Sequence, residues 1–138
     1  MSEANNNPMK GARVVHTMLR VCDVDRSIDF YTRLMGMKLL RRRDHADAKF
    51  TLAFLGYGEE SEGAALIELT YNWGRDEGYD IGTGFGHIAI GVPDVTAACA
   101  HLAKEGVKMP VPPKAGPSGK TLAFVEDPDG YRIELVTR

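Results

Sequence analysis

Apolar and polar residues follow the same order twice along the chain. Four short blocks of the first half recur in the second half, and the spacing between partners falls only from 71 to 66 residues. The matching blocks are residues 21–24 with 92–95, 36–38 with 106–108, 52–55 with 122–125, and 67–69 with 133–135. Because four matches in one order are difficult to explain by chance, the sequence predicts an internal duplication.

Each repeat predicts a strand, a helix and three further strands. In the first half, strands are expected at residues 14–21, 37–42, 49–55 and 64–71, with a helix from about 25 to 35. In the second half, they are expected at residues 87–92, 107–111, 121–126 and 131–136, with a helix that ends near residue 106. Asp25 and Asp94 are the expected helix N-caps, and Gly36 is the expected stop of the first helix.

The pattern indicates an α+β fold in which residues 13–138 form one domain of two tandem βαβββ modules. The repeats cover about 13–71 and 87–138, and we expect both to bury their helices on one face of a shared sheet. Residues 1–12 are expected to be a disordered extension. A segment rich in Pro and Gly, residues 112–119, is expected to be a mobile loop.

Composition argues against several classes of protein but does not identify a function. The chain has 138 residues and a formal net charge of −2, which argues against a general nucleic-acid-binding protein. No apolar run approaches the ~20 residues that a membrane-spanning helix needs, and the polar N-terminus lacks the apolar core of a signal peptide. Two cysteines are too few for a disulfide scaffold, so we expect reduced thiols and a cytoplasmic location.

Four polar residues take matching positions in the two repeats: His16, Glu68, His87 and Glu134. Side chains alternate between the faces of a strand, and the larger apolar residues of these strands take the face that packs on the helices. The four residues are therefore expected on the opposite face. Each alone would be an ordinary polar residue on a solvated face, but two imidazoles and two carboxylates together suit a divalent first-row metal ion.

Longer motifs around these residues are similar to those of a known family. His16-Thr17-Met18-Leu19-Arg20-Val21, residues 67–74 (IELTYNWG), 86–90 (GHIAI) and 123–135 (AFVEDPDGYRIEL) resemble the glyoxalase I family of the vicinal-oxygen-chelate superfamily. The resemblance implies a glyoxalase/bleomycin-resistance-type fold whose metal is held by His16, Glu68, His87 and Glu134. A His at the first ligand position of a short chain resembles the bacterial nickel/cobalt class. Ni²⁺ is therefore expected, with Co²⁺ as an alternative and Zn²⁺ less favoured.

The same resemblance implies a reaction, the isomerisation of the methylglyoxal–glutathione hemithioacetal to S-D-lactoylglutathione. This is lactoylglutathione lyase activity, which detoxifies methylglyoxal. It would proceed through a metal-stabilised enediolate, with Glu134 as the main proton-transferring base and Glu68 serving the opposite face of the substrate. Arg20, Asn72 and Lys120 would contact glutathione, the co-substrate, and Lys114 is an alternative to Lys120.

The family further implies a homodimer with a site at each side of its interface, where His16 and Glu68 of one chain meet His87 and Glu134 of the other. The sequence leaves an intrachain pairing open. The alternative functions are another metalloenzyme on this scaffold, such as an epimerase, and a non-catalytic bleomycin-type binding protein. A different thiol co-substrate also stays open. Arg41-Arg42-Arg43 is interpreted as a solvated strand edge rather than an anion site.

Overall fold

The computed structural model of the chain describes residues 6–138 and contains two halves with the same order of elements. The first half consists of β1 (His16–Arg20), α1 (Val24–Asp29), a π-helical turn (Phe30–Leu34), β2 (Lys38–His45), β3 (Phe50–Gly56), a 3-10 turn (Glu60–Glu62) and β4 (Leu66–Asn72). The second half consists of β5 (Ile88–Val92), α2 (Val95–Lys104), β6 (Val111–Ala115), β7 (Thr121–Glu126) and β8 (Arg132–Thr137). The predicted βαβββ order is confirmed in both halves.

The strands form two four-stranded sheets with the orders β1-β4-β3-β2 and β5-β8-β7-β6. In each sheet the first and last strands of the half pair in parallel, and the other pairs are antiparallel. The expectation of one shared sheet is therefore wrong. Within residues 6–138, strands pair only inside their own half, so side chains rather than backbone ladders join the halves.

The N-cap of the first helix lies two residues earlier than predicted. Asp23, not Asp25, has the extended backbone of an N-cap, and its carboxylate accepts a hydrogen bond from the Arg26 backbone N–H at 3.1 Å. The carboxylate of Asp25 instead accepts a bond from Arg42 at 2.6 Å. Asp94 caps α2 as predicted, because it accepts from the Ala97 backbone N–H at 3.0 Å. Asp23 and Asp94 are repeat partners, so the duplication itself identifies the correct cap.

The strand expected at residues 107–111 lies later, at Val111–Ala115, within the segment that was expected to be a loop. Its pairing with β7 is irregular between Val111 and Lys114. The intervening Pro112 and Pro113 have no backbone N–H to donate, and β6 is an edge strand, where proline is tolerated in a sheet.

One apolar core contains side chains from both halves, including Leu19, Leu55 and Leu69 from the first and Val125 and Leu135 from the second. A polar contact crosses this core. The hydroxyl of Tyr31 donates to Asp127 Oδ2 at 2.6 Å, and both residues are buried. The other carboxylate oxygen of Asp127 accepts from the backbone N–H groups of Asp129 and Tyr131, each at 2.9 Å. Burial nevertheless raises the pKa of Asp127 above its ordinary value.

Further bonds attach the turn at residues 127–130 to the first half. Asp129 accepts from the Cys22 backbone N–H at 3.1 Å and from the Ser27 hydroxyl at 3.2 Å. The Tyr131 hydroxyl donates to the backbone oxygen of Arg20 at 2.8 Å. These bonds hold the end of β1 next to the start of β8, so each half fixes the position of the other.

The expected N-terminal extension, residues 1–12, falls partly outside the described residues, which begin at residue 6. Residues 6–12 are exposed and contain a turn, so their disorder stays a prediction. Among the described residues, no helix is both long and apolar enough to cross a membrane.

Replacing Tyr31 with Phe is expected to destabilise the protein by about 1–3 kcal/mol, because a buried carboxylate oxygen loses its donor. Burial raises the pKa of Asp127 in the folded state. The Asp127 carboxyl therefore stabilises the fold at low pH, and this stabilisation is lost as the pH rises through the raised pKa. The Tyr31 hydroxyl opposes this rise, so its removal should cost more at pH 8 than at pH 4.5.

Urea unfolding at both pH values and equal protein concentrations measures the difference. Tyr57→Phe is the matched control, since it removes a hydroxyl that bonds the Met35 backbone oxygen at an exposed position. Equal destabilisation by Tyr31→Phe at the two pH values would show that the bond to Asp127 is not the cause.

Candidate metal centre

The first half places His16 beside Glu68 on the face of its sheet that is turned away from the helices. β1 and β4 run parallel with Met18 opposite Glu68, so His16, Met18 and Glu68 share this open face. His16 Nε2 lies 3.1 Å from Glu68 Oε1. The Glu68 side chain is only 14% exposed and that of His16 34%, so the pair is partly shielded while still reachable from one side.

The second half repeats this arrangement. Ala89 lies opposite Glu134 in the parallel pair β5–β8, which is the register of Met18 and Glu68. His87, directly before β5, has its Nε2 atom 3.5 Å from Glu134 Oε1. The side chains are 41% and 20% exposed. All four sequence-predicted ligands therefore lie in two equivalent His–Glu pairs.

An aromatic ring packs on each histidine at matching positions. The Phe54 ring meets His16 edge to face with centroids 5.3 Å apart, and the Phe124 ring meets His87 in the same way at 5.0 Å. Phe54 lies opposite Glu68 and Phe124 opposite Glu134. Sequence reasoning assigned these rings no role, although they belong to the repeated Leu-Ala-Phe block, which was the available signal.

The far ring nitrogen of His16 has an unusual environment. His16 Nδ1 is buried and has no hydrogen-bond partner among the described residues. A ligand histidine usually donates its second N–H to an acceptor that fixes its orientation. The described contacts of this ring are the edge contact with Phe54 and the contact of Nε2 with Glu68, so Phe54 is the neighbour that stays beside the ring if Nε2 binds a metal.

The two pairs do not meet within one chain. No group of three or more His, Cys, Asp or Glu side chains among residues 6–138 is close enough to hold a metal ion. Each pair alone nevertheless has suitable spacing. Two neighbouring ligands at about 2.1 Å from a metal lie about 3.0–3.4 Å apart for right-angle to tetrahedral geometry, close to the observed 3.1 and 3.5 Å.

Two of the expected glutathione contacts continue from the first pair along its strands. Arg20 and Asn72 lie four residues beyond His16 and Glu68 on the same open face, and Asn72 Nδ2 donates to the Tyr79 hydroxyl at 3.1 Å. The third contact, Lys120, is exposed in the turn before β7, and its alternative Lys114 lies in β6.

The second half differs at the corresponding positions. The repeat partners of Arg20 and Asn72 are Gly91 and Arg138. The side chain of Arg138 covers Gly91 so closely that a Cβ atom there would lie 2.9 Å from it. The halves therefore share their His–Glu pairs and differ in the polar groups beyond them.

A recess of about 600 Å³ lies away from these pairs, between the halves on the helix side. Its lining includes charges of both signs, among them Arg26, Asp29, Glu105 and Lys108, and none of the four expected metal ligands. The chemistry-bearing residues therefore occupy open sheet faces rather than this cavity.

Comparison with known proteins agrees with this architecture. The sequence pattern of the Glyoxalase/Bleomycin resistance protein/Dioxygenase superfamily matches residues 13–135. The chain belongs to this superfamily. The glyoxalase/bleomycin-resistance-type fold expected from the sequence is thereby confirmed.

Two bacterial proteins with high sequence identity to this chain are named for lactoylglutathione lyase activity. A probable lactoylglutathione lyase of Vibrio parahaemolyticus is 56% identical over 131 residues, which cover 93% of this chain and 92% of that protein. A lactoylglutathione lyase of Escherichia coli O157:H7 is 54% identical over 127 residues, covering 90% of this chain and 91% of that protein.

Two solved structures of glyoxalase I are similar to this chain in both fold and sequence. The trypanothione-dependent glyoxalase I of Leishmania major has a TM-score of 0.81 and 49% identity, over 91% of this chain and 86% of that one. Glyoxalase I of Zea mays has a TM-score of 0.86 and 48% identity, over 91% of this chain and 44% of that one.

Replacing either Phe54 or Phe124 with Leu is expected to lower the affinity for a divalent metal about tenfold, because the adjacent histidine loses the ring that holds its orientation. Metal titration by calorimetry on chelator-stripped protein measures the affinity. Phe50→Leu is the control, since Phe50 lies in the same strand as Phe54 but stacks on His45. Unchanged affinity in the Phe54 and Phe124 variants would refute the orienting role.

Proposed function

We propose that this chain is a metal-dependent lactoylglutathione lyase that isomerises the methylglyoxal–glutathione hemithioacetal to S-D-lactoylglutathione. The observation that carries the proposal is the duplicated His–Glu pair, set in the same register on both open faces. It occurs in a chain that is more than half identical to proteins named for this activity.

The donor set fits a divalent first-row metal ion. Two imidazole nitrogens and two carboxylates from His16, Glu68, His87 and Glu134 are borderline and hard ligands, and their two negative charges balance the ion. We propose Ni²⁺ as the native metal, with Co²⁺ as a substitute and Zn²⁺ as a poorer activator. When bound, such an ion supplies Lewis-acid polarisation of the two neighbouring substrate oxygens.

The glutamates move the proton. The difficult step is removal of a proton from the carbon beside a carbonyl and its return to the adjacent carbon. We assign this transfer to the carboxylate of Glu134, with Glu68 placed to serve the opposite face of the substrate. The Glu134 and Glu68 side chains are 20% and 14% exposed, and a second chain over the open face would shield the transferred proton further from solvent.

Arg20 and Asn72 bind the glutathione part. They lie four residues beyond the first ligand pair, about 13 Å along each strand, which is the reach of an extended tripeptide. The guanidinium of Arg20 can bind a carboxylate in bidentate fashion, and the Asn72 amide can both donate and accept. Lys120 of the second half supplies a further cation for glutathione.

We propose that two copies of the chain complete each site. Each half offers two of four ligands, and within the described residues the pairs stay apart. A two-fold dimer would bring the His16–Glu68 pair of one chain to the His87–Glu134 pair of the other, twice over. A site at the subunit interface also encloses a substrate that an open sheet face alone would leave in water.

Activity should depend on the metal in a defined order. After chelation, thioester formation from methylglyoxal and glutathione is expected to return with Ni²⁺ or Co²⁺ and to remain low with Zn²⁺, followed by ultraviolet absorbance. Full activity with Zn²⁺ would refute the metal assignment alone. Absence of thioester with every metal, in folded protein that binds one, would refute the reaction.

Mixed dimers test the shared site. Glu68→Gln and Glu134→Gln should each abolish activity alone, because each breaks one pair in both sites. Refolding the two variants together at equal amounts should restore about a quarter of wild-type activity, since half of the dimers carry one intact site of two. If both pairs of a site came from one chain, mixing would restore nothing.

A further inference from the structure

A second recess adjoins the first ligand pair on the open face of the N-terminal sheet. It measures about 540 Å³ and is lined by Arg41, Arg42, Arg43, His45, Leu52 and Phe54. Its floor is apolar, and Phe54 is also the ring that meets the edge of His16. The recess therefore lies next to His16 through the Phe54 ring and extends over β3 and β2, away from β1.

A β-bulge decides which arginines face this recess. The β2–β3 pairing shifts between Leu39 and Arg41, which places Arg41 opposite Phe54 and Arg43 opposite Leu52. Regular pairing would put Leu40 and Arg42 there instead, because one residue of shift exchanges the faces of a strand. The extra residue thus turns two cationic side chains toward the open face.

The three arginines have different partners. Arg42 points to the helix side, where it bonds Asp25 at 2.6 Å. Arg41 pairs with Glu60 at 3.0 Å, and its guanidinium carbon lies 4.1 Å from the centre of the Phe54 ring. Arg43 takes part in no ion pair among the described residues, so a cation without a counter-charge stands at the wall of an apolar-floored recess.

We propose that this recess binds a carboxylate on the 2-oxoaldehyde part of the substrate, with Arg43 as its main partner and Arg41 as the second wall. The inference rests on the proposed lyase function and extends its substrate class to hemithioacetals of 2-oxoaldehydes that carry a terminal acid group. Arg43 is here a specificity-determining residue, and the interpretation of residues 41–43 as a purely solvated edge is revised.

The positions of the other groups support this assignment. Arg20 and Asn72, the proposed glutathione contacts, lie on β1 and β4, whereas the recess lies over β3 and β2. The two substituents of the reacting carbons therefore have separate places on one face. Arg43 lies level with Arg20 in one row across the sheet, and three strand spacings, about 14 Å, separate β2 from β1. From Glu68, Arg43 is two strands away and two residues further along, about 12 Å, which its side chain and a short carboxylated substituent span together.

A binding experiment tests the proposal without turnover. S-(3-carboxypropyl)glutathione and S-butylglutathione have side chains of equal length and differ by one carboxylate for one methyl group. The dimeric protein should bind the acid about tenfold more tightly, since one charge-assisted hydrogen bond to a guanidinium gives a difference of this size. Arg43→Gln should remove the preference and leave S-butylglutathione affinity unchanged.

Lys38→Gln is the matched control. It removes one positive charge from the same strand at a side chain that lies outside the recess and pairs with Glu59. The preference for the acid should survive in this variant. Equal affinities for the two ligands in the wild-type protein, or an equal loss in the Lys38 and Arg43 variants, would overturn the proposal.

Turnover measurements distinguish a carboxylate on the 2-oxoaldehyde part of the substrate from a carboxylate of glutathione. The hemithioacetal of 4,5-dioxopentanoate should show a several-fold higher kcat/KM than that of its methyl ester, and Arg43→Gln should reduce only the former. If the variant loses activity equally with methylglyoxal, Arg43 holds a carboxylate of glutathione and the assignment is overturned. If glutathione ligands of both kinds fail to bind, the proposed function itself is refuted.

Discussion

The parallel pairing of the first and last strands in each half determines where the chemistry lies. This register puts His16, the first residue of β1, and His87, directly before β5, next to glutamates in β4 and β8, with Nε2–Oε1 distances of 3.1 and 3.5 Å. A shift of one residue would turn each glutamate to the helix side, where an ionised carboxylate is costly to bury. The antiparallel neighbours then place Phe54 and Phe124 against the histidines, so backbone pairing alone assembles three of the side chains in each half.

The halves are joined by a contact of another kind. Because no described strand pairs across them, their relative position depends on the common apolar core and on the buried turn at residues 127–130. Asp127 receives three hydrogen bonds and still has a raised pKa, which shows that burial outweighs the donors around it. The same turn is bonded to Cys22 and Ser27, next to the end of β1. Stability and the placement of Arg20 are therefore linked through one carboxylate cluster.

Repetition made most of this predictable from the sequence. The βαβββ order and the pairing of His16 with Glu68 and of His87 with Glu134 follow from alternation along duplicated strands. Local signals failed where repetition was not applied: Asp25 is a reasonable cap by itself, but the partner of Asp94 is Asp23. The position of β6 was missed because two prolines suggested a loop, although an edge strand tolerates them. The recess beside Phe54 could not be predicted, because it depends on a β-bulge in β2 and the sequence around residue 40 contains no residue typical of a bulge.

The equivalence of the two pairs has an evolutionary consequence. Each half contains a complete bidentate unit, with its own histidine, glutamate and supporting ring. A gene encoding a single half would therefore need only self-association about a two-fold axis to present all four donors to one ion. Fusion of two such copies frees each half to diverge, and the exchange of Arg20 and Asn72 for Gly91 and Arg138 records that divergence. A symmetric ancestor would present two identical ends to any bound molecule, whereas the two halves of the present chain offer different polar groups beyond their His–Glu pairs.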